Sequence, residues 1–285
     1  MASTHDPLLL RTRLVHLATR RHEHLALLER LQRSRFLRSA AARGLSRWLD
    51  DGPIVVLAGP GHGLRLAKAD LPVNHAQAGL IVRGELERPV QEAFRRLVAP
   101  GATVYDVGAN IGVYSLLAAR LAGPGGHVHA FEPVPAGARA VERNASLNQL
   151  ATITVHEAAV GASEGEATLL VVGEASWSHL ASAGSHADTR AERPVRLVSI
   201  DGLVAGGLPV PDVVKIDVEG AELEVLDGME RTLREVRPAL VIELHETNGA
   251  VADRLESASY SVENLDGPEP VRDAPGDVHV LARPA

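Results

Sequence analysis

The apolar and polar positions of the chain change period near Thr103. From there onward, short apolar runs typical of β-strands alternate with segments in which apolar residues recur every three or four positions, as in helices. Parallel strands need long crossover connections, so this alternation predicts an α/β fold: a mostly parallel sheet with helices on both faces. The predicted strands are residues 103–107, 127–131, 152–158, 212–216, 239–244 and 277–281.

Residues 1–50 have a different pattern. Leucines at helical spacing, with no Pro after Pro7, predict two or more helices. The segment holds ten arginines against four acids, whereas the whole chain carries a net charge of −7. A solvated helical face is the favoured interpretation, and an acidic partner is the alternative. We expect these helices to cover part of the acceptor site or to pair two subunits as a homodimer.

The run Gly59-Pro60-Gly61-His62-Gly63 follows an apolar strand and therefore resembles a nucleotide-binding loop. A phosphate loop should open a helix, but Leu64, Leu66 and Lys68 alternate with other residues at strand period. This segment is therefore predicted to be a β-hairpin. Residues 85–101 predict an amphipathic helix. The predicted domains are residues 1–80, an N-terminal helical segment with the hairpin, and residues 81–285.

Residues 161–200 interrupt the alternation of strands and helices. Two further strands are predicted at residues 166–172 and 195–200, joined by a polar loop from Gly173 to Pro194. Long insertions near a site are often functional. In this loop Trp177, Ser178 and His179 are candidates for a lid over the acceptor.

Composition narrows the classes of protein. The 45% hydrophobic and 23% charged residues are ordinary for a soluble globular protein, and no apolar run approaches the roughly 20 residues of a membrane helix. The chain has no Cys, which excludes disulfides, thiolate metal sites and a cysteine nucleophile. The negative net charge gives no support to nucleic-acid binding. Without a secretory signal pattern, a cytoplasmic location is expected.

The turn Gly108-Ala109-Asn110-Ile111-Gly112 follows the predicted strand 103–107 and precedes a helix. Ligands of open parallel sheets bind beyond the carboxyl ends of the strands. Gly108 permits a tight turn and close approach of a ligand, and the free amides of the next helix favour a negative group. Asp106 repels a pyrophosphate and favours a ligand with a positive amino group. An amino-acid moiety fits both charges.

Glu132 ends the second strand, about 20 residues beyond the glycine turn. An acid in this place accepts hydrogen bonds from ribose hydroxyls. Ribose together with an amino acid indicates S-adenosylmethionine, whereas NAD would call for three glycines in the turn. The predicted cofactor-binding residues are Asp106, Gly108, Asn110, Gly112 and Glu132.

Four segments, in this order and spacing, resemble the FkbM family of S-adenosylmethionine-dependent methyltransferases. They are VYDVGANIGVYSLLAAR, VHAFEPVPAGARAVERNASLN, VVKIDVEGAELEVLDGM and RPALVIELHE, and the resemblance covers roughly residues 84–245. The resemblance implies the class I methyltransferase fold, a Rossmann-like sheet of seven strands with one antiparallel strand, for which DVHVLARP is the candidate. Many relatives methylate hydroxyl groups of natural products or sugars, so it also implies a small-molecule acceptor.

Acids and a histidine follow the strands at 212–216 and 239–244. Methyl transfer to a hydroxyl requires alignment and removal of a proton. His245 is the leading general base because imidazole ordinarily titrates near neutral pH; the alternative is a structural histidine. Asp217 is a second catalytic candidate, as base or orienting group, and with Glu219 it is a candidate Mg²⁺ site because hard oxygen ligands suit that ion. Lys215, inside an apolar strand, is expected to pair with a carboxylate.

The sequence therefore predicts an O-methyltransferase that acts on a hydroxyl of a small-molecule natural product or sugar-bearing metabolite. An N- or carboxyl-methyltransferase is the alternative within the enzymes, since neither requires a base such as His245. A non-catalytic cofactor-binding or interaction protein is the alternative of a different class. S-adenosylmethionine binding and methyl transfer to an acceptor discriminate among these.

Overall fold

The computed structural model of the protein describes residues 53–71, 75–172, 177–180 and 189–285. The chain divides into two compact units between Arg88 and Pro89, somewhat later than the boundary after residue 80 that the sequence predicts. The helices predicted in residues 1–50, and the contacts expected of them, lie outside the described residues.

The first unit contains the predicted hairpin. Strands β1 (Pro53–Val55) and β2 (Arg65–Ala67) pair antiparallel, with Ile54 opposite Leu66. Both of these side chains are buried. A 3₁₀ turn (Lys68–Asp70) and helix α1 (His75–Arg83) follow, and the sequence pattern had not indicated this helix. The hairpin interpretation of the glycine-rich run is confirmed.

The second unit alternates helices and strands. The helices are α2 (Arg88–Leu97, which begins at the division), α3 (Val113–Ala122), α4 (Pro135–Leu147), α5 (Ile200–Ala205), α6 (Glu222–Asp227), α7 (Glu230–Glu235) and α8 (Asn248–Ser257), with 3₁₀ turns at Gly123–Gly125 and Val271–Asp273. The strands are β3 (Thr103–Val107), β4 (His127–Phe131), β5 (Ile153–His156), β6 (Ala159–Val160), β7 (Gly165–Val172), β8 (Trp177–Leu180), β9 (Thr189–Val198), β10 (Val213–Ile216), β11 (Ala239–Leu244), β12 (Tyr260–Asn264) and β13 (Val278–Pro284).

Seven of these strands form one sheet in the order β12-β13-β11-β10-β3-β4-β5. β13 is antiparallel to both of its neighbours, and the other neighbouring pairs are parallel. This is the predicted class I methyltransferase topology, and DVHVLARP supplies the antiparallel strand. The order reverses next to β3, since β4 lies on one side and β10 on the other, and ligands bind at such a switch point.

Helices cover both faces of this sheet. On one face, Ala130 packs with Val141 of α4, and Ser115 of α3 bonds to Asp106 of β3. On the other face the largest core cluster joins β3, β10 and β11 to the helices α5 to α8. The central strands β3, β4, β10 and β11 are buried on both sides, which explains why their sequences are nearly continuous apolar runs and not alternating ones.

A smaller sheet has the order β6-β9-β7-β8 and contains the irregular segment. The polar loop predicted for residues 173–194 is too long, because β8 and the start of β9 lie within it. Pro194 is tolerated within β9 because β6 pairs only with Leu197 and Val198, so no second strand needs the missing N–H. β9 ends at Val198 because Ser199 caps α5, its Oγ accepting from the N–H of Gly202.

Candidate active site

The predicted site residues meet at one edge of the seven-stranded sheet. β3 and β10 are parallel and in register, so that Asp106 lies opposite Lys215. β10 and β11 are also parallel, which brings the acids after β10 close to His245 beyond β11. Glu132 follows β4 on the other side of β3. The carboxyl ends of four strands therefore supply the cofactor and catalytic candidates together.

The glycine turn connects β3 to α3 through three residues with positive φ. These are Gly108 at +80°, Asn110 at +52° and Gly112 at +85°. The amides of Gly108 and Ala109 both donate to the carbonyl of Phe131 at 3.0 Å, which fastens the turn to β4. Gly112 is the N-cap residue of α3. The turn is thus a fixed backbone feature at the positive end of a helix.

Gly108 has a physical role that differs from the expected one. A Cβ at this position would lie 1.8 Å from the backbone carbonyl oxygen of Asp217. The space beside Gly108 is therefore filled by the chain that follows β10, and the expectation that this glycine leaves room for a ligand is wrong. Its positive φ and this contact both require glycine.

Asp106 is fully buried and incompletely bonded. Its Oδ2 accepts a hydrogen bond from Ser115 Oγ at 2.5 Å, while its Oδ1 has no hydrogen-bond partner among the described residues. Burial raises the pKa of this carboxyl, and the charge of Lys215 opposes the rise. A buried acceptor without a donor is costly, which makes it a place where a ligand donor is stabilising.

Glu132 is buried as well, but both of its carboxylate oxygens are bonded. Oε2 accepts from the N–H of Asn110 and Oε1 from the N–H of Val134, each at 2.8 Å. Glu132 therefore ties the glycine turn to the start of α4, a role that the sequence did not reveal. Burial raises its pKa to about 7. Each carboxylate oxygen can still accept a second bond, so the predicted ribose contact stays compatible with this geometry.

Lys215 pairs with a carboxylate, as the sequence predicts. Its Nζ donates to Asp217 Oδ2 at 2.8 Å and lies 5.1 Å from the centre of the Tyr114 ring. Lys215 is buried, whereas the Asp217 side chain is partly exposed. Burial alone would raise the pKa of Asp217, but the charge and hydrogen bond of Lys215 outweigh it, so the pKa is lowered. Asp217 is thus an ionised carboxylate at the site.

His245 lies among carboxylates. Its Nδ1 is 2.9 Å from Oε1 of Glu222, and its Nε2 is 3.5 Å from Oε2 of Glu219 and 3.8 Å from Oε1 of Glu243. Glu222, in the first turn of α6, is fully buried. It was missed at the sequence level, although it belongs to the same DVEGAE run as Asp217 and Glu219, because only the acids nearest the strand end were considered.

The carboxylates change the titration expected for His245. Burial acts to lower its pKa, but the hydrogen bond to Glu222 and the charges of Glu219, Glu222 and Asp217 raise the pKa to about 9. The expectation that this imidazole titrates near neutral pH is therefore wrong. Burial raises the pKa of Glu219 to about 7. At neutral pH, His245 is therefore largely an imidazolium, and the carboxyl of Glu219 beside it is partly ionised.

Potential metal ligands also lie at this edge. Ligand atoms of Asp217, Glu243 and His245 lie within 4.8 Å of one another. The sequence pairs Asp217 with Glu219, but Glu219 does not belong to this group and faces His245 instead. A group with an imidazole nitrogen suits transition metals better than Mg²⁺, which prefers oxygen ligands. The Mg²⁺ site at Asp217 and Glu219 stays a prediction.

Comparison with known proteins decides the family. The sequence profile of the methyltransferase FkbM domain matches residues 106–262, more than half of the chain. The chain belongs to the FkbM methyltransferase family. The FkbM match begins at Asp106 and includes the glycine turn, Glu132 and the acids around His245, so the whole site described above lies within it.

Individual relatives match parts of the chain. Hexuronic acid methyltransferase AglP of Haloferax volcanii is 35% identical over 146 residues, which are 50% of this chain and 55% of that protein. The 31-O-demethyl-FK506 methyltransferase FkbM of Streptomyces tacrolimicus is 30% identical over 187 residues, 54% of this chain and 69% of that protein. A solved structure of methyltransferase FkbM from Methylobacillus flagellatus is 18% identical with a TM-score of 0.44, covering 75% of this chain and 56% of that one.

Among the described residues, no helix combines the length and apolar character needed to cross a membrane.

Proposed function

We propose that the protein is an S-adenosylmethionine-dependent O-methyltransferase that acts on a hydroxyl group of a small natural product or sugar-bearing metabolite. The observation that carries the cofactor assignment is the free Oδ1 of the fully buried Asp106. It lies on the strand that leads into the glycine turn, where a protonated amino group would satisfy it. The relatives named for hexuronic acid and for FK506 support the acceptor class.

The residues present fit this cofactor. S-adenosylmethionine supplies a methyl group already activated by its sulfonium charge. Asp106 offers an acceptor for the amino group, the first amides of α3 offer donors for the carboxylate, and Glu132 offers acceptor capacity for ribose hydroxyls. Asn110 and Gly112 hold the shape of the turn between these groups.

For the acceptor, the chain must hold a hydroxyl in line and remove its proton. We assign proton removal to Nε2 of His245, because Nδ1 is occupied by Glu222. A pKa of about 9 means that only a small neutral fraction is available at pH 7, so the rate should rise with pH. Asp217 and Glu243 lie close enough to accept hydrogen bonds from other hydroxyls of the acceptor.

An amine acceptor is the second candidate. Nε2 of His245 lies 3.5 Å from Glu219 and 3.8 Å from Glu243, and the charge of Asp217 also acts on this ring. Carboxylates attract a protonated amine and repel an anionic acceptor. N-methylation is therefore a better alternative than methylation of a carboxylate. A cofactor-binding protein without catalysis would show binding and no transfer.

A matched acceptor panel tests the assignment. The full chain with radiolabelled S-adenosylmethionine is offered methyl glucoside, methyl glucuronoside and methyl glucosaminide, together with a set of alcohol natural products, and the labelled atom is located by mass spectrometry. Transfer to a hydroxyl oxygen supports the proposal. Transfer only to the amine or only to the carboxylate contradicts it, and cofactor binding with no transfer to any acceptor favours a non-catalytic role.

The same assay examines the metal prediction. If Asp217 and Glu219 hold Mg²⁺, chelator should abolish transfer, Mg²⁺ should restore it, and Asp217→Asn should weaken both. Restoration by Mn²⁺ but not by Mg²⁺ would favour the group with His245. Full activity in the presence of chelator would show that methyl transfer needs no metal. The proposed role of His245 as the base would be unaffected.

A further inference from the structure

Glu222 is the one fully buried carboxylate in the group around His245. Its Oε1 accepts from the N–H of Gly220 at 2.8 Å and lies 2.9 Å from Nδ1 of His245. Its Oε2 accepts from Thr247 Oγ1 at 2.8 Å. Three groups thus fix one carboxylate, on the first turn of a helix, against the chain that leaves β11.

Because Glu222 is buried, its carboxylate needs a partner that compensates its charge. A carboxylate taken out of water is costly unless it is paired and hydrogen-bonded. The amide of Gly220 and the hydroxyl of Thr247 are neutral, so His245 is the partner among these three that can carry the compensating charge. An ionised carboxylate only accepts hydrogen bonds, which means that Nδ1 of His245 must carry a proton in this contact.

The consequence concerns the other nitrogen of the ring. With Nδ1–H directed at Glu222, the Nε2 atom points toward Glu219 and Glu243, the partly exposed acids of the site. When the ring is neutral, Nε2 is then the atom with the free lone pair. A ring held by Nε2–H would instead present no acceptor on this side.

We propose that Glu222 is the positioning residue of the site: by holding Nδ1–H of His245, it fixes the ring orientation and the tautomer in which Nε2 accepts the proton of the acceptor hydroxyl. This rests on the proposed role of His245 as the base. Carboxylates orient catalytic imidazoles in this way in unrelated enzymes. Glu222 itself acts only through His245.

Thr247 provides a matched control. Its Oγ1 donates to Oε2 of Glu222, whereas Nδ1 of His245 contacts Oε1 of the same carboxylate. Thr247→Val therefore disturbs the surroundings of Glu222 while leaving the Nδ1 contact in place. A role of Glu222 in local packing alone predicts similar effects from Thr247→Val and Glu222→Gln, whereas the proposal predicts different ones.

The first test needs no acceptor. Long-range ¹H–¹⁵N spectra of the ¹⁵N-histidine-labelled full chain at pH 10 report which ring nitrogen carries the proton, and the His245 signals are identified by their loss in His245→Ala. We expect Nδ1–H in the native protein and in Thr247→Val, and a mixture of tautomers in Glu222→Gln, whose amide can donate as well as accept. Native Nε2–H, or an unchanged tautomer in Glu222→Gln, would overturn the proposal.

The second test is a double-mutant cycle in methyl transfer to an acceptor found by the panel. Glu222→Ala and His245→Ala should each lower kcat about 100-fold, with cofactor affinity nearly unchanged, and Glu222→Gln about 10-fold. The double variant should be no slower than His245→Ala alone, because Glu222 acts through that ring. Thr247→Val should stay within about threefold of native. If Glu222→Ala does not fold, Glu222→Gln replaces it in the cycle.

The outcomes separate the two proposals. Native turnover in His245→Ala removes the base assignment, and the role of Glu222 falls with it. A slow His245→Ala combined with losses that multiply in the double variant leaves the base in place and overturns the positioning role alone. Equal losses in Thr247→Val and Glu222→Gln would also overturn it.

Discussion

At the scale of single residues, Asp106 and Glu132 show that two buried acids at neighbouring strand ends need not have the same role. Asp106 keeps one oxygen free, whereas both oxygens of Glu132 are bonded to backbone amides. Their positions could be predicted from the sequence because acids after strands are local features. Their partners could not, since Asn110, Val134 and Ser115 reach them only through the turn and the packing of α3 and α4.

If Glu132 holds the ribose as proposed, cofactor binding should depend on pH. Its pKa of about 7 means that it loses acceptor capacity when it is protonated below that pH. We expect S-adenosylhomocysteine to bind about tenfold more weakly at pH 6 than at pH 8, the ratio of the ionised fractions. The Glu132→Gln variant should bind S-adenosylhomocysteine about 1 to 3 kcal/mol more weakly than the native protein at pH 8. Its affinity should also depend much less on pH.

The measurement is isothermal titration at both pH values. Glu142→Gln, which changes an exposed acid on α4, is the matched control and should behave like the native protein. Glu132→Gln is preferred to Glu132→Ala because it keeps an acceptor for the glycine turn. Equal affinity at pH 6 and 8 in the native protein would remove the ribose assignment.

His245 should set the pH dependence of turnover. Because its pKa is about 9 and a base must be neutral to accept a proton, the rate should increase with pH up to about 9 and then level off. Glu219 helps to raise that pKa, so Glu219→Gln should move the rise to lower pH. The check is the pH–rate profile of the native protein and of Glu219→Gln and His245→Ala. A His245→Ala profile with the native rise would contradict the assignment.

At the scale of elements, the sequence predicts the buried strands well and the exposed ones poorly. β3, β4 and β11 have the predicted bounds because each is a continuous apolar run between polar turns. β12 was missed because Tyr260–Asn264 lies at the edge of the sheet and only Tyr260 is buried. β9 was predicted too short at its start because Pro194 ordinarily excludes a strand.

The contact between the glycine turn and the chain that follows β10 is a second feature at the scale of elements. Gly108→Ala places a Cβ against the carbonyl of Asp217 in a backbone conformation that disfavours any side chain. We expect a loss of unfolding free energy larger than the roughly 1 kcal/mol typical of point mutations, measured by urea denaturation. Gly63→Ala, with a similar φ and no atom within 4 Å, isolates the cost of φ alone. Equal losses of unfolding free energy in Gly108→Ala and Gly63→Ala would show that the contact with Asp217 does not determine the cost.

At the scale of the whole molecule, the sequence predicts a mostly parallel sheet but not the contacts between its distant parts. Alternating strands and helices indicated a parallel sheet, and the FkbM resemblance supplied its antiparallel strand. The convergence of Glu222 on His245 could not be predicted, because it depends on how α6 folds back over the end of β11. The residues proposed to bind the cofactor lie in local motifs, while the group proposed for catalysis is assembled by tertiary structure.

We propose that residues 1–50 pair two copies of the chain. The apolar positions in residues 1–50 need a surface to bury against. Sedimentation of the full chain and of a version lacking residues 1–50 would show whether that segment pairs two copies.

We propose that the chain binds S-adenosylmethionine through the acids beside its glycine turn. The most direct measurement is isothermal titration of the full chain, Asp106→Asn and the edge-strand control Glu263→Gln with S-adenosylmethionine. We predict one site per chain in the native protein and in Glu263→Gln, and affinity weakened by about 10-fold or more in Asp106→Asn, because a buried charge-assisted hydrogen bond is lost. Absence of binding to the native chain, or native affinity in Asp106→Asn, would show that Asp106 does not hold the cofactor.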